Sequence, residues 1–191
     1  PSDTFSSFTY ITPPNITGIS PSSGSTEGLT SVTITGTNFT GATSVTFDGI
    51  AATSLTIVNS TTITCITPAR ATAGAVGVIV ITGGGPSGAF SSFTYILPPN
   101  IKSMTPPSVS RVGGTIVTIT GTNFIGATSI TLGGLNATSF NVVNGTSITC
   151  VTPARTTGGM VSVIVTTGGG PSNTFSTFIY VPFVSAILPT F

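Results

Sequence analysis

Thr-Ile-Thr-Gly-Thr-Asn-Phe, the segment Thr33–Phe39, is repeated letter for letter at Thr118–Phe124. The two copies start 85 positions apart, and the same offset relates Cys65 to Cys150. Within each copy, β-branched residues alternate with hydroxyl residues, which is the pattern of a strand with one buried face. A motif that recurs at one fixed spacing indicates a tandem duplication. We therefore predict that the chain contains two copies of one domain.

The repeat spacing also predicts the domain boundaries. One domain should cover residues 13–97 and the next residues 98–181. Residues 1–12 match the end of each domain, and residues 182–191 resemble the beginning of one. We expect the former to be the last strand of a preceding repeat and the latter the first strand of a following repeat. Whether these end strands pair with another chain or continue covalently stays open at this point.

Apolar residues alternate with Thr and Ser throughout both repeats, and turn-forming clusters such as Asp48-Gly49 and Asn144-Gly145 separate the runs. About seven short strands in each repeat predict an all-β fold of tandem immunoglobulin-like sandwiches. The side chains expected to point inward are Val32, Ile34, Val45, Phe47, Leu55, Ile57, Ile63, Cys65, Val76, Val78 and Val80, and in the second repeat Val117, Ile119, Ile130, Leu132, Phe140, Val142, Ile148, Cys150, Val161, Val163 and Val165.

An ordered set of motifs resembles the IPT/TIG family of immunoglobulin-like domains. The motifs are the Pro-x-Ile-x-x-Ile-x-Pro-x-x-Gly pattern of Pro14–Gly24, then Val32–Phe39, Val45–Gly49, Ile63–Ala69 and Phe93–Tyr95. The resemblance implies an immunoglobulin-like sandwich, tandem occurrence on extracellular and cell-surface proteins, and no shared catalytic residues. Some members of that family contact DNA, but the cationic loops for such contact are missing here.

Ionisable side chains are scarce, and this excludes most catalytic chemistry. The chain has three Asp and Glu, four Lys and Arg, no His and a net charge of +1. General acid-base catalysis and metal ligation need several such groups at one point. We therefore predict no catalytic residue, no metal site, no cofactor and no enzyme activity.

The same composition bears on partners. Four scattered cations cannot neutralise a run of phosphates, so no nucleic-acid binding is expected. No apolar run is long enough for a transmembrane helix, so no membrane insertion is expected. A surface with so little charge favours association. We expect this surface to be kept wet by its hydroxyl side chains or by N- or O-linked glycans, or to be buried in a homopolymer of this chain.

Three repeated features receive structural interpretations. Cys65 and Cys150 are expected to be free buried thiols, because each lies alone in its own domain. The Gly-Gly-Gly runs that begin at Gly83 and Gly168 are expected to be hairpin connections. Arg70 and Arg155 are expected to be solvated loop cations, since neither has an acidic or aromatic residue nearby in sequence.

Five Asn-x-Ser/Thr sequons are candidate N-glycosylation sites: Asn15, Asn38, Asn59, Asn136 and Asn144. A chain rich in Ser and Thr produces several sequons by chance. Asn59 and Asn144, however, occupy the same repeat position, in turn-like segments, and are the best acceptors. Asn38 is less favoured because it precedes a predicted core residue, Phe39.

Some apolar residues should face away from their own core and are candidate assembly contacts. They could also be tolerated on edge strands or buried between domains. An assembly surface between chains is the alternative. This set consists of Ile66, Ile79, Ile81, Val151 and Ile164, together with Phe5, Phe8, Tyr10, Val184 and Ile187 of the end strands.

The leading hypothesis is therefore a non-enzymatic structural protein that forms or extends an extracellular or cell-surface fibre. End-to-end contact or strand exchange between copies would build it, and glycans would coat it. The alternative is an adhesion or carbohydrate-binding module of a larger surface protein. Sugar sites usually present aromatic platforms, and the chain has no Trp.

Overall fold

The computed structural model describes residues 9–182. The chain divides into two compact units, Pro1–Ile96 and Leu97–Phe191. The described residues form strands, turns and loops without helix, so the predicted all-β fold is confirmed. Seven strands in each unit have four or more residues, and three have two or three.

The strands of the first unit are β1 (Asn15–Ser20), β2 (Ser23–Ser25), β3 (Ser31–Thr37), β4 (Ser44–Phe47), β5 (Ile50–Ala51), β6 (Thr53–Asn59), β7 (Thr62–Ile66), β8 (Gly74–Thr82), β9 (Gly85–Pro86) and β10 (Phe90–Ile96). Those of the second unit are β11 (Asn100–Thr105), β12 (Ser108–Ser110), β13 (Ile116–Thr122), β14 (Ser129–Leu132), β15 (Leu135–Asn136), β16 (Ser139–Asn144), β17 (Ser147–Val151), β18 (Gly159–Thr167), β19 (Gly170–Pro171) and β20 (Phe175–Val181).

Each unit is a sandwich of two sheets with the same strand order. In the first unit one sheet has the order β1-β3-β7-β6 and the other has β2-β10-β8-β4-β5, with β9 paired to β8. The second unit repeats this order as β11-β13-β17-β16 and β12-β20-β18-β14-β15, with β19 paired to β18. Strands β2 and β10 pair in parallel, as do β12 and β20, and the other pairings are antiparallel. The duplication in sequence is thus a duplication of topology.

The core of each unit consists of the inward-facing residues of both sheets. Most of the side chains predicted to point inward are buried. Leu55 and Val142 are partly buried and pack against the cores. The prediction was wrong for Ile57, which is 39% exposed, and for Phe140, which is 36% exposed. Ile57 lies on β6 and Phe140 on β16. Each is an edge strand, with a paired strand on one side only.

The repeated heptapeptide joins β1 to the rest of its sheet. Gly36 pairs with Ile16, and a Cβ atom at Gly36 would collide with the Asn15 carbonyl oxygen and the Phe39 ring. Asn38 has a φ of 60°, in the left-handed region that Asn tolerates, and the chain then turns Phe39 into the core, where it is fully buried. The turn therefore excludes a side chain at Gly36, accommodates Asn38 in the left-handed region and buries Phe39.

The predicted hairpins are present. Asp48 and Gly49 both have positive φ and connect β4 to β5, as expected for a tight two-residue turn. The first Gly-Gly-Gly run connects β8 to β9, with Thr82 paired to Gly85, and the second connects β18 to β19 in the same way. Both runs are hairpin connections, as predicted.

Candidate assembly and modification surfaces

A tyrosine on the last long strand of each unit is anchored by a loop from the opposite sheet. The Tyr95 hydroxyl donates a hydrogen bond to the Pro68 carbonyl oxygen at 2.8 Å. The Arg70 guanidinium lies 6.0 Å from the Tyr95 ring centroid and forms an ion pair with Asp48 at 2.9 Å. Arg70 is therefore half-buried between a ring and a carboxylate. The prediction of a solvated loop cation was wrong, because the guanidinium meets the Tyr95 ring on β10 and the Asp48 carboxylate in the β4–β5 turn, and both are distant in sequence.

The second unit keeps the tyrosine contacts and replaces the acid. Tyr180 donates to the Pro153 carbonyl oxygen at 3.2 Å, and the Arg155 guanidinium lies 5.5 Å from its ring centroid. Gly133 occupies the place of Asp48, and Arg155 Nη1 donates instead to the carbonyl oxygens of Leu132 and Gly133, at 2.9 and 3.2 Å. Arg155 thus also has a structural role, held by backbone dipoles rather than by a carboxylate.

Burial makes the core thiols and phenols weak acids. Desolvation raises the pKa of Cys65 and of Cys150 to about 11. Desolvation also raises the pKa of Tyr95 and of Tyr180 above the ordinary value, although the adjacent arginine partly opposes this. Both cysteines are free and buried, as predicted. A thiol with so high a pKa is protonated at neutral pH and is a poor nucleophile.

The two repeated sequons have the same turn geometry. Asn59 Oδ1 accepts hydrogen bonds from the Thr61 backbone N–H and from Thr61 Oγ1, both at 2.8 Å. Asn144 Oδ1 accepts the same pair of bonds from Thr146, both at 2.9 Å. Each asparagine ends an edge strand and is exposed. All four bonds are to the amide oxygens, so these turn contacts do not use the amide nitrogens.

The remaining sequons differ from this arrangement. Asn38 Nδ2 donates to the Pro13 carbonyl oxygen at 3.1 Å, and Asn123, which is not in a sequon, makes the same bond to Pro98. Asn38 is therefore a structural residue of the repeat. Asn15 begins β1 and Asn136 ends β15, and both are exposed.

The outward apolar residues are split between two sheets. Ile66 lies on β7 and Val151 on β17, in the four-stranded sheets. Each of these strands has a paired strand on both sides. Ile79, Ile81 and Ile164 lie on β8 and β18, in the other sheets. All five are partly buried. Within one unit the structure therefore places these residues on different sheets and does not bring them into one patch.

The end-strand candidates are only partly within the described chain. Phe5, Phe8, Val184 and Ile187 lie outside the described residues. Tyr10 is 89% exposed, whereas Tyr95 and Tyr180, at the equivalent repeat positions, are buried.

An apolar depression on the second unit was not predicted. Ile116 is 67% exposed at the start of β13 and lies beside Val151, its cross-strand partner. Together with Phe140 they border a depression of about 150 Å³, whose polar lining is Ser139, Asn141 and Thr149. The first repeat has Ser31 and Leu55 in place of Ile116 and Phe140. Comparing the two repeats position by position would have revealed this difference.

The described residues contain neither a candidate metal cluster nor a candidate membrane-spanning helix. Residues 9–182 contain no group of three or more His, Cys, Asp or Glu that could hold a metal ion. In the same residues no helix meets the length and hydropathy needed to cross a membrane.

Comparison with known proteins identifies the family. The model of the IPT/TIG domain matches twice, at residues 14–95 and at residues 99–180. The chain belongs to the IPT/TIG family. The two matched segments correspond to the two sandwiches described above, so each sandwich is one IPT/TIG domain with the immunoglobulin-like fold.

Two kinds of larger protein contain segments similar to this chain. Human fibrocystin-L is 32% identical over 178 residues, which is 87% of this chain and 4% of that protein. The extracellular region of plexin A4, domains 1 to 10, is 25% identical with a TM-score of 0.56 over 94% of this chain and 16% of that one. A plexin A4 structure of domains 1 to 8 gives a TM-score of 0.53 over 91% and 18%. The chain thus spans a small part of these relatives.

Proposed function

We propose that this chain is a non-enzymatic structural repeat protein that forms or extends an extracellular or cell-surface fibre. The observation that carries the proposal is the duplication: two IPT/TIG domains with one topology follow each other at a constant spacing of 85 positions. Domains that repeat at one spacing are the modular units from which a spacer or a filament can be built.

The chemistry of the side chains supports a role without catalysis. The two thiols are buried with pKa values of about 11, and the arginines beside the tyrosines are engaged in holding strands together. The chain has no His and only three acids to supply a general acid or base.

The relatives support a place outside the cell. One similar segment belongs to the extracellular region of plexin A4, and the other to fibrocystin-L. The chain covers 4% of fibrocystin-L and 16% of plexin A4. We therefore assign to it only the role of a module in an extracellular protein, and not the activities or partners of those whole proteins.

Strand exchange between copies is the assembly mode that we favour. Tyr10 repeats the position of Tyr95, whose ring is packed edge-on against Phe93 and Phe47 in the core. The Tyr10 side chain is 89% exposed, so most of its apolar surface is in contact with water. Burial of that surface in a neighbouring sandwich would be stabilising. Pairing by β-strand addition would bury it.

Electron microscopy over a concentration series tests this proposal. We expect filaments that lengthen as the chain concentration rises. Tyr10→Ser should shorten them, while Leu29→Ser, a change at another highly exposed apolar residue, should leave them unchanged. Short particles of uniform size at all concentrations would contradict fibre assembly, as would equal effects of the two substitutions.

A second candidate function is adhesion to a carbohydrate or other small surface ligand. The observation that favours it is the depression beside Phe140, where an exposed aromatic ring adjoins the polar side chains of Asn141 and Thr149. A glycan array tests it. Specific binding that is lost in Phe140→Ala but kept in Leu55→Ala, the equivalent change in the first repeat, would support this candidate over a purely structural role.

A further inference from the structure

The strands β6 and β16 are unprotected sheet edges. Each is the last strand of its four-stranded sheet, and nearly all of its residues are exposed. Neither strand contains a charged residue or a proline, the usual devices against pairing with another chain. Each also exposes two apolar side chains: Ile57 and Val58 on β6, and Phe140 and Val143 on β16.

The two repeated sequons lie at the ends of these same strands. Asn59 is the last residue of β6 and Asn144 the last residue of β16. In both, the threonine of the sequon holds the asparagine through Oδ1, by way of its backbone N–H and its hydroxyl. The side chain is therefore oriented without use of Nδ2, the atom to which an N-linked sugar is attached. A glycan can be carried there with every hydrogen bond of the turn intact.

The other sequons lack this combination. A sugar on Asn38 Nδ2 would interfere with the hydrogen bond to Pro13, which the second repeat also keeps through Asn123. Asn15 and Asn136 have no sequon at the equivalent position of the other repeat, where Asn100 precedes Ile101-Lys102 and Ala51 replaces Asn136.

We propose that Asn59 and Asn144 carry N-linked glycans, and that these glycans cover the β6 and β16 edges against strand pairing between copies of the chain. In the attachment step Nδ2 loses a proton and bonds to the anomeric carbon of a lipid diphosphate-linked oligosaccharide. The bond from that carbon to the diphosphate oxygen breaks, and the lipid diphosphate leaves with the electron pair. The inference rests on the extracellular location proposed above.

Secretion of the chain from a eukaryotic host tests the attachment. Peptide mapping after enzymatic removal of glycans in ¹⁸O-labelled water should show labelled Asp at positions 59 and 144 and unlabelled Asn at position 38. Intact mass should fall by one glycan in Asn59→Gln and in Asn144→Gln, and should show no glycan loss in Asn38→Gln. Unmodified Asn59 or Asn144, or a glycan on Asn38, would overturn the assignment.

A second measurement tests the covering of the edges. The same sequence made without glycans in a bacterial host should associate laterally at a concentration about ten-fold lower in sedimentation velocity. Adding Val58→Lys and Val143→Lys, which place a charge on each edge, should restore the behaviour of the glycosylated chain, whereas Leu29→Lys should not. Equal association with and without glycans would refute the covering role.

These outcomes are distinguishable from failure of the fibre proposal. Lateral association is read from sedimentation of the glycan-free chain, and end-to-end assembly from filament length in electron micrographs. Thermal unfolding of each variant establishes that it is folded before either comparison is made.

Discussion

At the scale of single residues, Asn173 distinguishes the two domains. Its side chain bonds to both backbone groups of Ile101: Oδ1 accepts from the Ile101 N–H at 2.7 Å, and Nδ2 donates to the Ile101 carbonyl oxygen at 3.1 Å. This amide therefore acts as a short extra strand on the edge of β11. The first repeat has Gly88 at the equivalent position and Ile16 in place of Ile101.

Exchanging these two residues between the repeats should exchange their edge stabilities. Asn173→Gly should destabilise β11 by about 1–3 kcal/mol, because two hydrogen bonds to the backbone are lost. Gly88→Asn should stabilise β1, since a Cβ at Gly88 would meet no atom within 4 Å. Amide hydrogen exchange measures both: faster exchange at Ile101 in the first variant, slower exchange at Ile16 in the second. Unchanged rates at Ile101 would show that the amide contributes nothing to the edge.

The buried cysteines should make the fold sensitive to alkali. Their pKa is raised from 9.0 to about 11 on folding, so the folded state favours the protonated thiol. This stabilisation is complete below pH 9 and is lost as the pH rises through 11. The buried Tyr95 and Tyr180 act in the same direction. Denaturant unfolding should show little change in the free energy of unfolding from pH 8 to pH 9 and a fall from pH 9 to pH 11.

The matched control is the variant Cys65→Val with Cys150→Val, which retains an apolar side chain of similar size. Its free energy of unfolding should fall less steeply over the same pH range, with only the tyrosines contributing. If the two pH profiles have the same slope, the thiols are not the cause.

At the scale of elements, the attachment of the first strand depends on a glycine. Gly36 on β3 and Gly121 on β13 belong to the two copies of the repeated heptapeptide and pair with β1 and β11. A Cβ at either position would meet a backbone carbonyl oxygen as well as the ring of Phe39 or Phe124. The carbonyl oxygen belongs to the backbone and cannot rotate away as a flexible side chain can.

Gly36→Ala and Gly121→Ala should each destabilise the affected domain by roughly 2–4 kcal/mol, in the upper range for single substitutions. Gly77→Ala on β8 is the control, because its Cβ would lie 3.5 Å from Ala89 Cβ, an ordinary contact. Thermal unfolding should show a fall in Tm for the first two variants and a change within about 0.5 kcal/mol for the control. A tolerated Gly36→Ala would mean that β1 can shift outward at little cost.

At the scale of the whole molecule, stability comes from apolar burial, with little contribution from charge. Each domain has a continuous core, and Arg70 with Asp48 is the ion pair found within residues 9–182. The net charge of +1 leaves almost no repulsion for salt to screen.

The free energy of unfolding should therefore change by less than about 0.5 kcal/mol between 0.02 and 0.3 M NaCl, because a partly exposed ion pair is worth only about 0–1 kcal/mol. Asp48→Asn should remove most of the small dependence that is present. Denaturant titrations at several salt concentrations measure this. A large salt effect on the wild-type chain would point to charge interactions that the fold does not explain.

Much of this architecture could be predicted from local patterns. The period-two alternation through Val76, Val78 and Val80 follows from strand geometry, and the Asp48-Gly49 turn from its need for positive φ. The 85-residue spacing predicted the duplication because equal sequences fold alike. The Asn59 and Asn144 turns were recognisable for the same reason.

Other features depend on which strands become neighbours. Alternation placed Ile57 and Phe140 inward, but their exposure is set by the position of β6 and β16 at a sheet edge. Arg70 meets Tyr95 and Asp48 only after the two sheets have packed. Asn38 meets Pro13 only after β1 has paired with β3 within one sheet. Backbone periodicity is local and can be read along the chain, whereas edges, ion pairs and side-chain caps form between residues that are brought together only by long-range pairing.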